Sequence, residues 1–209
     1  MYLGIVNVNY STNYFNPTLL KELGYTSAMA QIHSIPLYVV AGFFCLTTCW
    51  LSGRFGTRYP FLMFGVLVGS IGFIILLAQG GLSPGVKYMA LFFITSAGYI
   101  VQPMCVSWLQ NNVGGHWKRA FAAGCQIGWG NAGGLVASNI FITKEAPRYP
   151  VGYGVCLGLL LMTGVFATIM LFGVKRENAK RDRGERDWRL SLPDVDNLGD
   201  DHPSYRFIT

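Results

Sequence analysis

Acidic residues are absent from a long internal stretch of this sequence. Between Glu22 and Glu145 the chain contains no Asp or Glu, and its few basic residues there stand in small groups. A charged residue at the centre of a membrane helix costs about 2.5 to 3.5 kcal/mol, so a spanning helix is nearly free of charge over about 20 residues. This distribution of charge predicts a polytopic membrane protein.

Six segments are long and uncharged enough to be membrane spans, and in five of them apolar or small residues cover every side of the helix. The first is rich in Asn, and since it has no basic leader and no small-residue cleavage site, we interpret it as a span and not as a signal peptide. The predicted spans are 2–20, 28–51, 60–79, 88–110, 120–143 and 151–174. The predicted fold class is an all-α integral membrane protein, a six-transmembrane-helix bundle.

Basic residues predict the orientation of this bundle. With Met1 in the cytoplasm, the basic loops near 54–58 and 118–119 fall on the cytoplasmic side, where Lys and Arg are retained. Both termini are then cytoplasmic, and we expect the plasma membrane as the location. The net charge of +6 reflects this topology and not nucleic-acid binding, because no basic stripe lies on a soluble face.

A densely charged segment, 175–209, follows the last span. We interpret it as a cytoplasmic tail in which Pro193 and Pro203 interrupt any long helix. A solvated or disordered tail is the expectation, because charged and balanced composition gives little apolar surface to bury. The alternative is that 175–189 lies as a basic segment against anionic lipid headgroups.

Residues that carry catalysis or bind metals are scarce. The five cysteines all fall inside predicted spans, which argues against a disulfide framework, and Cys45 and Cys49 have no His or carboxylate near them in sequence. No carboxylate lies in any predicted span, and His33 and His116 are far apart in the predicted topology. We therefore predict no enzyme activity, no metal site and no cofactor.

Glycines recur at four-residue spacing within the spans. Small residues at this spacing let helix backbones approach closely in a membrane. The pattern therefore predicts helix packing grooves and not ligand loops. The pairs are Gly65 and Gly69, Gly124 and Gly128, Gly130 and Gly134, and Gly154 and Gly158.

Amide side chains inside the spans are the most informative polar residues, because each needs a partner or a water-filled cavity in the bilayer. Asn9, Asn13 and Asn16 stand four and three residues apart, which predicts one shared helix face with Tyr10 beside it. The alternative for each amide is an interhelical hydrogen bond without substrate contact. The candidate substrate-binding residues are Asn13, Tyr14, Gln126, Trp129 and Asn131.

Several runs resemble one family of transporters. The runs 107–120 (SWLQNNVGGHWKRA), 126–134 (QIGWGNAGG) and 146–150 (APRYP) are similar to the fungal allantoate and nicotinate permease family. That family is the anion:cation symporter branch of the major facilitator superfamily. The run 17–25 (PTLLKELGY) resembles the end of its seventh helix, and 197–206 (NLGDDHPSYR) resembles its C-terminal tail.

One run of the resemblance departs from the usual pattern. The run 50–58 (WLSGRFGTR) resembles the superfamily's cytoplasmic loop between helices eight and nine. The acidic residue usual in that loop is replaced here by Gly53. A gating salt bridge at this loop is therefore not expected.

The resemblance implies twelve helices in two halves, with the substrate held between them near mid-membrane. This chain would supply helices seven to twelve, with Met1 inside or just before the seventh, and the N-terminal half is expected to be missing by truncation, gene-model error or genuine reduction. In the superfamily the helices equivalent to the first and fifth spans line the cavity, which supports the five candidate residues.

Two classes of function remain open at this point. The first is transport of a small organic anion, a carboxylate or vitamin-like acid such as allantoate or nicotinate, coupled to protons and set in the lipid bilayer. Proton coupling would then use a group on the missing half or on the substrate, because the five later spans carry no acidic residue. The second is a non-transporting membrane subunit or regulator that associates with another polytopic protein.

Overall fold

The computed structural model describes residues 1–22, 24, 26–141, 148–191 and 198–209. Within these ranges the chain is helical and contains no strand. The α-helices are α1 (Tyr2–Glu22), α2 (Ser27–Phe55), α3 (Tyr59–Leu77), α4 (Pro84–Asn111), α5 (His116–Asn131), α6 (Gly133–Ile140) and α7 (Pro150–Asp182). Two short 3₁₀ helices follow at Asp187–Ser191 and Gly199–Asp201. The predicted all-α class is confirmed.

Local sequence accounts for several helix ends. The Thr26 side chain caps α2 by accepting a hydrogen bond from the Met29 N–H (3.4 Å). Gly56 ends α2 in the left-handed region at φ 65°, where a residue without Cβ is favoured. Pro84 and Pro150 occupy the first positions of α4 and α7, where the missing N–H costs nothing.

Four helices, α2, α3, α4 and α7, are long and apolar enough to cross a membrane. Their outward faces carry large exposed apolar side chains, such as Ile71 and Ile74 on α3 and Phe172 on α7. A soluble domain would bury such side chains, whereas lipid solvates them. The other two predicted spans, 2–20 and 120–143, correspond to α1 and to the pair α5 and α6, and they stay predictions.

The fifth predicted span is divided into two helices. The helix α5 ends at Asn131, Ala132 lies between, and α6 begins at Gly133. Residues 142 and 143 of the predicted span lie outside the described residues. The break is one residue long, because Ala132 keeps helical backbone angles (φ −58°, ψ −25°), and the single predicted span 120–143 did not include it.

Close packing joins α3 to α4. A Cβ placed on Gly65 would lie 2.6 Å from the Val101 side chain, and one on Gly69 would lie 2.7 Å from the Cβ of Ala97. Real Cβ atoms do not approach so closely, so only glycine allows this helix separation. The packing groove predicted at this pair is confirmed.

The other glycine pairs divide into two kinds. Gly130 and Gly134 lie against α1, where their backbones contact the rings of Tyr2 and Tyr10. For the remaining pairs, no atom in the described part of the chain lies within 4 Å of a Cβ placed on the glycine. The helix packing predicted for these pairs is therefore wrong within this chain. These open pairs are Gly124 and Gly128 on α5, and Gly154 and Gly158 on α7.

The charged tail is folded wherever the structure describes it. The helix α7 continues to Asp182, and residues 198–209, which we call the strap, lie against α4 and α7. The disorder expected for the tail is therefore wrong for 175–191 and 198–209, although many of these residues are exposed as a solvated tail would be; Pro193 lies outside the described residues. Charge composition misled the prediction because buried Arg181 donates hydrogen bonds to backbone carbonyl oxygens of the strap and thereby orders it.

Candidate substrate-binding face

Amide and tyrosine side chains from α1, α2, α4 and α5 meet on one side of the bundle. We call this set the amide–aromatic face. It consists of Asn9, Tyr10, Asn13, Tyr14, Tyr38, Gln102 and Asn131.

The α1 and α2 part of the face is held by a phenol. The Tyr38 hydroxyl donates to Oδ1 of Asn13 (3.1 Å), and the Tyr38 ring meets the edge of Tyr99, with ring centroids 6.1 Å apart. Tyr14 stacks on Tyr10 at a centroid distance of 6.0 Å and is 57% exposed. An aromatic surface is therefore open beside a hydrogen-bonded amide.

The α1 and α4 part of the face centres on Gln102. Asn9 Nδ2 donates to Oε1 of Gln102 and to the Gly98 carbonyl oxygen (3.3 Å). Gln102 Nε2 in turn donates to the Tyr2 hydroxyl (3.3 Å). Sequence reasoning missed Gln102, although an amide beside Pro103 in the middle of a predicted span was a usable signal.

The α5 residues of the prediction differ in their surroundings. Asn131 Oδ1 accepts from the Tyr10 hydroxyl (3.2 Å), which joins α5 to the face. Gln126 turns toward α4, where its Nε2 donates to the Cys105 carbonyl oxygen (3.1 Å). Trp129 is 76% exposed. The structure thus brings Asn13, Tyr14 and Asn131 to the face and leaves Gln126 and Trp129 beside it.

The three asparagines of α1 lie on one side of the helix, as their spacing predicts, but they differ in exposure. Asn13 is exposed, Asn9 is half-buried, and Asn16 is fully buried with Nδ2 donating to Thr95 Oγ1 (3.3 Å). The side of α1 that packs on α4 takes Asn9 and Asn16, because α4 offers polar partners there. Spacing alone does not tell which side of a helix a neighbour covers.

The chemistry of the face is neutral. Its members carry amides and phenols, and no Asp, Glu, Lys or Arg belongs to it. Such groups donate and accept hydrogen bonds and present aromatic rings for stacking, but they supply no strong acid, base or metal ligand set. Among the described residues, no group of three or more His, Cys, Asp or Glu is arranged to hold a metal ion.

Several proteins that are similar to this chain are named as transporters. The MFS-type transporter cnsO of Penicillium expansum is 35% identical over 207 residues, which cover 95% of this chain and 40% of that protein. The high-affinity nicotinic acid transporter of Saccharomyces cerevisiae is 29% identical over 214 residues, with 98% and 39% covered. An uncharacterized transporter of Schizosaccharomyces pombe is 36% identical over 184 residues, with 86% and 36% covered.

The chain spans 36 to 40% of the length of these three relatives. No solved structure matches it. The family model of the Major Facilitator Superfamily matches residues 1–200. Because that match includes nearly the whole chain, the protein is an integral membrane protein that belongs to the Major Facilitator Superfamily, a family of transporters and not of enzymes.

Proposed function

We propose that this chain acts in the transport of a small organic anion, as the C-terminal six-helix half of a secondary transporter in the plasma membrane. The substrate class is a carboxylate or vitamin-like acid of the nicotinate or allantoate kind. The resemblance to the allantoate and nicotinate permeases supports this class, and so does the name of the nicotinic acid transporter that the chain resembles.

The amide–aromatic face carries the proposal. A planar carboxylate accepts hydrogen bonds from amide N–H and phenol O–H groups, and its ring or apolar body stacks on an aromatic surface. Asn13 and Asn131 offer amides at the exposed part of the face, and Tyr14 offers an open ring. Trp129 would supply a second aromatic surface at the border of the face.

Charge limits the mechanism that the face can use. Its neutral donors bind a carboxylate without the strong field of an Arg or Lys, so binding gains little from charge neutralisation. If transport is coupled to protons, the proton is bound by the substrate carboxylate itself or by a residue outside the face. A substrate that enters as the neutral acid suits such a face, since an uncharged molecule needs no counter-ion.

A substrate site of this kind also needs residues opposite the amide–aromatic face. Large apolar side chains on α2 and α5, including Phe43, Trp50, Trp117 and Phe121, are exposed on the half-bundle. The open pair Gly124 and Gly128 lies on the same helix as the last two. We propose that another six-helix half covers these residues and closes the substrate site between the two halves.

Uptake in proteoliposomes tests this function. The chain alone and a fusion to the N-terminal half of a relative would be assayed with radiolabelled nicotinate and allantoate. The proposal expects saturable uptake by the fusion and none by the chain alone. A correctly inserted, stable fusion that takes up neither acid would contradict the substrate class and favour a non-transporting membrane subunit.

A further inference from the structure

The strap is fixed to the end of α4 through its backbone. The indole Nε1 of Trp108 donates to the Ile208 carbonyl oxygen (2.8 Å), and the Tyr205 hydroxyl donates to the Asn111 carbonyl oxygen (2.7 Å). Trp108 is fully buried, so this hydrogen bond lies inside the protein. This end of α4 and the strap therefore form one unit.

Arg181 fixes the strap to α7. It is only 5% exposed, and its guanidinium donates to the carbonyl oxygens of Asp200 (3.0 Å), His202 (3.2 Å) and Tyr205 (3.0 Å). The same group lies over the Phe207 ring, 4.5 Å from its centroid. A buried guanidinium with these partners orders the strap, because leaving it unpaired would be costly.

An ion pair attaches α5 to the strap. Lys118 Nζ lies 2.7 and 2.9 Å from the two carboxylate oxygens of Asp200, and 3.7 Å from Oδ2 of Asp201. The hydrogen bonds that Lys118 donates to Asp200 raise the pKa of Lys118, which keeps its ammonium group protonated. The Lys118 side chain is 56% exposed, and ion pairs of this kind are weak and screened by salt.

The rest of α5 is lightly held. Of its residues only Gly130 is buried, near the break at Ala132. Its hydrogen bonds to other helices, from Gln126 to α4 and from Tyr10 to Asn131, lie in the half of α5 nearer that break. The opposite end follows α4 after the loop 112–115, and its side-chain contact with the strap is the pair of Lys118 with Asp200.

We propose that the strap is a latch for α5. The pair of Lys118 with Asp200 holds the first turn of α5, next to the loop 112–115 that joins it to α4. Its release lets α5 move relative to α6 about the break at Ala132, while the strap stays bound to α4 and α7. The consequence for transport rests on the proposed function, because α5 carries Asn131 and Trp129. The movement itself requires no substrate.

Spin-label distances in nanodiscs test the latch. In the full chain with its five cysteines replaced by serine, labels at exposed Ala120 on α5 and Lys175 on α7 report their separation. Lys118→Gln and Asp200→Asn are each expected to shift the ratio of two distance populations by about 1.5- to 5-fold, the range of an exposed ion pair. Raising the salt to about 1 M should act on the wild type in the same direction, since charges are then screened within about 3 Å.

Two controls separate release of the latch from damage to the fold. Arg183→Gln removes an exposed cation whose partner is Glu185 and should leave the distances unchanged. In Lys118→Gln the amide hydrogens of Phe207 and Ile208 should stay protected from exchange, because their asparagine partners are intact.

Exchanging the charges supplies the decisive variant. Lys118→Asp combined with Asp200→Lys is expected to restore the wild-type distances. Unchanged distances in both single variants, a failed restoration, or loss of strap protection in Lys118→Gln would each overturn the latch. None of these readouts uses a substrate, so they fail or succeed independently of the transport proposal.

Discussion

Asn112 and Asn178 hold two consecutive residues of the strap with the same pair of hydrogen bonds. Asn112, at the end of α4, donates to the Ile208 carbonyl oxygen (3.0 Å) and accepts from the Ile208 N–H (2.7 Å). Asn178, on α7, donates to the Phe207 carbonyl oxygen (2.9 Å) and accepts from the Phe207 N–H (3.0 Å). The strap is thus a bridge between two helices that are distant in sequence.

Replacing either asparagine should destabilise the bundle. Asn112→Ala and Asn178→Ala each leave one backbone N–H and one carbonyl oxygen of the strap without their partner, at a cost of about 1 to 3 kcal/mol. Thermal unfolding in detergent measures the effect. Asn139→Ala is the matched control, because within the described residues that exposed amide donates to Leu135 and Ser138 of its own helix. Equal melting temperatures for all three variants would contradict the bridging role.

Glycine substitutions should separate internal packing from open surface. Gly69→Leu inserts a side chain where a Cβ already meets Ala97, and overpacking of this kind costs about 1 to 3 kcal/mol or more. Gly158→Leu on α7 meets no atom within 4 Å and should keep wild-type abundance and melting temperature. Detergent-solubilised yield and thermal unfolding decide between these outcomes. Equal losses in both variants would show that the outward face of α7 is also packed.

Acid should loosen the end of α7. Hydrogen bonds from Arg186, followed by those from Arg181, lower the pKa of Glu177, which lies beyond the predicted span, to about 2. A lowered pKa means that the carboxylate stabilises the fold above its unfolded value of about 4.3, and that this contribution disappears as the pH falls toward 2. Hydrogen exchange of 183–191 between pH 6 and pH 2 should show this loss of protection.

Glu177→Gln is the control for the acid response. The variant should start with less protection at pH 6, because a neutral amide binds Arg186 more weakly than a carboxylate does. Its protection should then change little with pH. The same acid response in Glu177→Gln would assign the effect to another group.

Cysteine labelling tests the predicted orientation. On a Cys-free background, a cysteine at exposed Ser83, between α3 and α4, should react with a membrane-impermeant reagent from outside the cell. A cysteine at exposed Gly53, near the end of α2, should react only after permeabilisation. The reverse pattern would place both termini outside.

The spans were predictable from sequence because the bilayer imposes a rule on composition. Absence of charge over about 20 residues placed α2, α3 and α4 within a few residues of their observed ends. The break at Ala132 was missed, although Gly130, Asn131 and Gly133 beside it are weak helix formers. The folding of the strap around Arg181 could not be predicted for a different reason. Composition does not show which charged side chains form hydrogen bonds with the backbone.

The candidate face was predictable only in part. Uncharged amides in predicted spans singled out Asn13 and Asn131, and both are exposed in the structure. Tyr38 was missed because a tyrosine in a helix gains meaning only from its neighbours, whereas Gln102 was missed although its amide in a predicted span was a usable signal. The burial of Asn16 followed from α4, whose partner residue Thr95 the pattern of α1 does not encode.

Substrate affinity tests the central claim most directly. In a transport-competent fusion, Asn131→Ala removes an exposed amide of the face, whereas Asn139→Ala removes an exposed amide of α6 outside it. Loss of one hydrogen bond should raise the apparent Kd for radiolabelled nicotinate or allantoate by about three- to tenfold in Asn131→Ala, with membrane abundance unchanged, and should not change it in Asn139→Ala. Wild-type affinity in Asn131→Ala, or an equal loss in Asn139→Ala, would contradict the assignment of this face to the substrate.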